Sequence, residues 1–104
     1  AAFYQQLFGW PVVQDYPDWV TLRPPGGGPG LSFQLEELYE RPTWPAESDR
    51  QQMQLHLDIE VEDLESSVAY ALDAGATLAE FQPQNNVRVL LDPVGHPFCF
   101  FVNE

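Results

Sequence analysis

The sequence predicts an α+β domain built from two βαβββ units, and three observations carry that prediction. The stretch from Gln54 to Gly75, QLHLDIEVEDLESSVAYALDAG, switches its hydrophobic period from two to between three and four, as a strand feeding a helix does. Three apolar stretches then follow, parted by the turn-forming runs PQNN and DPVG. The start of the chain repeats the same order of helix, Gly, strand, turn, strand, Pro/Gly loop and Phe-bearing strand, with Leu22-Arg23-Pro24-Pro25 standing where Leu90-Leu91-Asp92-Pro93 stands. The first copy opens directly on its helix. Its first strand is expected from an N-terminal segment outside these residues, with another subunit as the alternative, because a sheet short of one strand leaves an open edge.

In the first copy, Ala2 to Phe8 reads as a short helix with Ala2, Phe3 and Leu7 on its apolar side and Gly9 as its stop. Trp10 to Asp15 and Asp18 to Arg23 read as a hairpin about Tyr16-Pro17, since Pro17 presets a turn dihedral between β-branched and aromatic residues. The run PPGGGPG from Pro24 to Gly30 holds neither helix nor strand. It is not a phosphate cradle, because no Lys-Ser/Thr follows it and a strand comes next, where Leu31, Phe33 and Leu35 alternate with Ser32 and Gln34. Glu36 to Gln52 turns polar, acidic and Pro-interrupted, as a connector does.

In the second copy, Leu55, Leu57, Ile59 and Val61 form one face of a strand, and His56, Asp58 and Glu60 the other. Asp63 then caps a helix whose apolar side carries Leu64, Val68, Ala71 and Leu72 and which Gly75 closes. Thr77 to Gln82, Val87 to Leu91 and Pro97 to Asn103 complete the unit. The organisation is a single domain, residues 1–104, with module one at 1–36, a linker at 37–52 and module two at 53–104.

With 104 residues, 44% of them hydrophobic, the chain supports one real core. Sixteen acidic residues against four arginines and no lysine give a net charge of -12, which repels the phosphates of nucleic acid and of anionic lipid. No apolar run spans a bilayer and no signal peptide is legible, so the expectation is a cytoplasmic protein without membrane or nucleic-acid partners. One cysteine, Cys99, forms no internal disulfide, and no CxxC suggests a structural zinc.

Each polar candidate carries two readings. His56 is the catalytic candidate, an imidazole able to accept or donate a proton near neutral pH; alternatively it hydrogen-bonds Gln34 or a water. Asp58 and Glu60 read as a carboxylate pair or as groups running into solvent. Trp10, Trp44 and Phe101 are cavity walls or core, and Arg88 meets a ligand carboxylate or a surface acid on a neighbouring strand. His96, in the turn before the last strand, is a catalytic group or simply caps the loop. Cys99, flanked by Phe98, Phe100 and Phe101, is expected to keep its proton and act as a small hydrophobe.

Three stretches, FYQQLFGWPVV, HLDIEVEDLE with its helix to DAGAT, and RVLLDPVGHPFCFF, resemble in content and order the vicinal oxygen chelate superfamily, which includes glyoxalase I, bleomycin-resistance proteins and extradiol dioxygenases. The match is best to short glyoxalase-like domains. The resemblance implies two modules whose curled mixed sheets enclose a cleft, where a divalent metal is held by first-strand and last-strand residues of each module. By position it places His56 at the second module's histidine ligand, Cys99 where a glutamate is usual, and Ser32 or Gln34 at the corresponding place in module one. The implied metal pair is His56 with Cys99, and the implied ligand-binding set is Trp10, Ser32, Gln34, Trp44, His56, Asp58, Arg88, Cys99 and Phe101. A catalytic centre normally needs about three protein ligands, so the expectation is a protein that binds a small organic molecule without a resident cofactor, and the resemblance, whose paired modules often share a cleft at a subunit interface, implies a homodimer. A divalent-metal-dependent lyase, isomerase or dioxygenase is the alternative.

Overall fold

The computed structural model describes residues 1–51 and 54–103; Gln52 and Met53, where the expected linker meets module two, and the last residue Glu104 lie outside the described residues. The chain divides into two compact units, Ala1–Tyr39 and Glu40–Glu104. Among the described residues, no helix is long and apolar enough to cross a membrane.

The first unit holds α1 (Ala2–Phe8), β1 (Val12–Tyr16), β2 (Trp19–Leu22) and β3 (Leu31–Gln34). Gly9 ends α1 in the left-handed region at φ 71°, its N–H donating to the Gln5 carbonyl, a conformation that a side chain would disfavour. The three strands form an antiparallel sheet in the order β1-β2-β3. Tyr16 pairs with Trp19, so Pro17 and Asp18 alone make the hairpin turn. Trp10, expected in the first strand, precedes it instead and stacks on Phe8 at a ring distance of 4.8 Å. Tyr4 of α1 stacks on Phe33 at 5.5 Å, which brings the helix onto the sheet face that carries Val20, Leu22, Leu31 and Phe33.

The second unit holds β4 (Leu57–Glu60), α2 (Leu64–Ala74), β5 (Thr77–Leu78), β6 (Val87–Leu91) and β7 (Pro97–Phe101). Its sheet runs β4-β7-β6-β5, with β4 parallel to β7 and the other pairs antiparallel. This is a complete βαβββ unit, and the first unit repeats it without an opening strand. Asp63 caps α2 as expected, its carboxylate accepting from Ser66 N–H at 2.8 Å, and hydrogen bonding from the Ser66 side chain and then from that N–H holds its pKa below the ordinary value.

Three details depart from the sequence reading. Leu72 is exposed: Ala71 is the buried position of α2, Leu64 and Val68 are half-buried, and Leu72 is turned about 100° from Ala71. Leu55 precedes the ladder and is also exposed. The strand expected over Thr77 to Gln82 ends at Leu78, and the Gln82 carboxamide replaces backbone in the ladder: it donates to Ala79 O at 2.7 Å and Val89 O at 2.9 Å and accepts from Val89 N–H at 2.9 Å. Strand pairing is thereby extended by a side chain where Pro83 turns the backbone away.

Candidate functional site

Parallel pairing of β4 with β7 sets Asp58 beside Cys99, and antiparallel pairing of β7 with β6 sets Cys99 beside Val89. Because side chains alternate across a sheet, Asp58, Cys99, Phe101, Val87 and Val89 share one face, while Leu57, Ile59, Leu90, Phe98 and Phe100 share the other. Leu90 and Phe98 on that second face are fully buried. The first face carries a small apolar floor of Ala79, Val89 and Cys99, with Trp44 and Val87 packed against it. The neighbours of the thiol on its own face are therefore Ala79 and Val89, and not the Phe98 and Phe100 rings that flank it in sequence.

His56, immediately ahead of β4, reaches the same place. Its Nε2 lies 3.2 Å from Asp58 Oδ1, and the ligand atoms of His56, Asp58 and Cys99 all lie within 4.8 Å of one another. With Nε2–H donating to the carboxylate, the neutral ring keeps a lone pair on Nδ1. Cys99 is buried at 5% exposure, and its pKa is pushed up to about 11, first by burial and then by the negative charge of Asp58 and the hydrogen bond it makes with that carboxylate. The thiol is protonated at neutral pH, as the sequence implies. The carboxylate beside it is a cause that only strand register supplies.

Trp44 stands next to this group, its ring 6.1 Å from the His56 ring and tilted by 59°. Its Nε1 is buried and has no hydrogen-bond partner among the described residues. A buried indole N–H without an acceptor costs free energy on the order of 1–3 kcal/mol, so an acceptor brought to this point gains what the protein alone forgoes.

The remaining candidates go elsewhere. Arg88 lies on the opposite face from Cys99, beside Phe100, and its guanidinium donates to the carbonyls of Val87, Asn85 and Gln84 at 2.8, 3.0 and 3.5 Å. It closes the preceding loop through one guanidinium nitrogen, and its strand position puts it off the Cys99 face. Glu60 accepts from Asn103 Nδ2 at 2.8 Å and does not join Asp58. His96 lies 3.3 Å from the buried Asp92 carboxylate, which also accepts from the backbone of Val94 and His96 and so ties the β6–β7 turn. Trp10, Ser32 and Gln34 belong to the first unit, where Gln34 is exposed and Ser32 hydrogen-bonds Thr21.

A family model described as a glyoxalase-like domain matches residues 1–101. The chain belongs to this family. Solved structures similar to this glyoxalase-like chain include a glyoxalase/bleomycin resistance protein/dioxygenase family enzyme from Burkholderia phytofirmans, with a TM-score of 0.69 at 24% identity over 97% of this chain and 85% of that one. A lactoylglutathione lyase from Agrobacterium tumefaciens gives a TM-score of 0.61 at 17% identity over 98% and 81%. An antibiotic binding protein from a Streptomyces species gives 0.55 at 17% identity over 98% and 82%. At such identities the likeness is one of fold. No curated protein matches the chain in sequence.

The donor set suits the divalent metal that the superfamily implies: an imidazole nitrogen, a carboxylate oxygen and a sulfur converge, and donors around one zinc lie roughly 3–4 Å apart. Asp58 supplies the third donor missing from the His56/Cys99 pair. The signal was available in sequence, since Asp58 follows His56 by two on the same face, but its approach to Cys99 depends on a pairing across some forty residues.

Proposed function

We propose that the Cys99 face of the four-stranded sheet binds a small organic molecule, with Trp44 and the Ala79/Val89 floor against its apolar part and His56 and Asp58 against its polar part. The observation that carries this reading is the buried, unpartnered Nε1 of Trp44 beside the His56 ring. An acceptor on the ligand takes the indole N–H, and Nδ1 of His56 takes a donor or a proton, the role in which His56 acts as a catalytic base. The protein is proposed to work as a cytoplasmic homodimer, which light scattering after size-exclusion chromatography tests by mass. A thermal-shift screen of apolar and cationic compounds tests the binding. A compound at a hundred times its Kd stabilises by about 2.7 kcal/mol, and Trp44→Phe, which keeps the ring and removes the N–H, weakens it about tenfold. A screen without a single stabilising compound ends this reading.

The convergence of His56, Asp58 and Cys99 within 4.8 Å favours a second reading, a divalent-metal-dependent lyase, isomerase or dioxygenase. A metal held by these residues would act as a Lewis acid toward a substrate oxygen. His56 and Asp58 would orient it, and the Cys99 proton would have to leave, so affinity rises with pH. Calorimetric titration with zinc, nickel and manganese should then give one site per chain that His56→Ala abolishes. Absence of binding at pH 8 removes the metal reading and leaves the first intact.

A further inference from the structure

The face of the first unit's sheet opposite Val20, Leu22, Leu31 and Phe33 carries four uncharged polar side chains that bond to one another. Trp19 Nε1 lies 3.0 Å from Thr21 Oγ1 and 3.3 Å from Gln14 Oε1; Thr21 Oγ1 lies 2.9 Å from Gln14 Oε1 and 2.8 Å from Ser32 Oγ. The direction of each bond follows from valence. An indole nitrogen only donates, so the Gln14 atom facing it is the carbonyl oxygen, and the carboxamide NH2 points away. Thr21 has one proton, which goes to Gln14 Oε1, so the bond between Thr21 and Ser32 is donated by Ser32. Both lone pairs of Thr21 are then engaged, by Trp19 and Ser32, which suits its 6% exposure.

What the network leaves over is specific. Ser32 has spent its proton and keeps only acceptor lone pairs, whereas Gln14 has spent its oxygen and keeps two N–H donors. Both residues are exposed, and the Trp19 ring beside them is 38% exposed. We propose that this face is a recognition site for an uncharged amide-type group, the Gln14 NH2 donating to the ligand carbonyl, the Ser32 oxygen accepting the ligand N–H, and Trp19 lying against its planar body. The proposal rests on the chain being a small-molecule binder and gives a ligand chemistry to the face of the first unit on which the resemblance places Ser32. No charged side chain takes part in the network, so a carboxylate in place of the amide loses the N–H that Ser32 accepts and meets a chain of net charge -12.

The test is an NMR titration of the full chain with benzamide and, separately, benzoate. Benzamide is expected to give saturable shifts of the Gln14 side-chain NH2 and the Trp19 indole N–H, and benzoate at the same concentrations is not. Gln14→Leu and Ser32→Ala, both at exposed positions, should each weaken benzamide at least about fivefold, the worth of one hydrogen bond near 1 kcal/mol. Unmoved Gln14 and Trp19 signals, or unchanged affinity in both variants, overturn the proposal. Benzamide shifts confined to Trp44 and His56 overturn it too, while supporting the reading of the Cys99 face.

Discussion

Cys99 offers the sharpest test of the site, because its thiol is held protonated by two separable causes. Its pKa stands at about 11 against an ordinary 9.0, through burial and through Asp58. At pH 8 the thiolate population is then about a hundredfold below that of an ordinary cysteine, and modification by a disulfide reagent slows at least in proportion. The same displacement ties stability to pH. Below pH 9 both folded and unfolded thiols are protonated and the contribution is fully present; between pH 9 and about 11 only the unfolded thiol ionises, so stability falls as pH rises, by about 3 kcal/mol at most. Urea titrations of the chain and of Cys99→Ala at pH 8 and pH 10.5 isolate the effect from tyrosine ionisation, since only the difference between the two proteins counts. Asp58→Asn removes the charge and leaves the burial, so the thiol, followed by absorbance near 240 nm, should titrate lower than in the parent and still above 9.0. A parent thiol that titrates near 9, or an Asp58→Asn thiol that titrates unchanged, refutes the placement of Asp58 against Cys99.

Other consequences follow from the second unit's turns. Asp92→Ala removes the buried acceptor of two backbone N–H groups and should cost about 3 kcal/mol, a fall in Tm on the order of 10 °C by calorimetry, with Asp92→Asn retaining part of it. Gln82→Leu deletes the side-chain rung between Ala79 and Val89 and should cost about 2 kcal/mol, with faster amide exchange at Val89 than in the parent. Gly95→Ala places a Cβ at φ 97° and against the Arg41 side chain, so it should destabilise by about 1–2 kcal/mol; Arg41→Ala should recover only the steric part, measured as a double-mutant cycle.

Much of the second unit was legible in the letters because its signals are local. The switch of period after Val61, the Asp63 cap and the Gly75 stop lie within a few residues of what they control, and β6 falls on Val87–Leu91 as read. The repeat was legible for the same reason, as were the hairpin about Pro17 and a protonated Cys99. What tertiary structure alone decided involves partners distant in sequence. Asp58 meets Cys99 only through a parallel pairing that crosses α2, β5 and β6, the Gln82 side chain carries the pairing with β6 beyond Leu78, and Arg88 lies off the Cys99 face because register puts it on the other. Alternation says that a residue has a face; which face meets which neighbour depends on register, and one step of register exchanges Arg88 for Val89 beside Cys99.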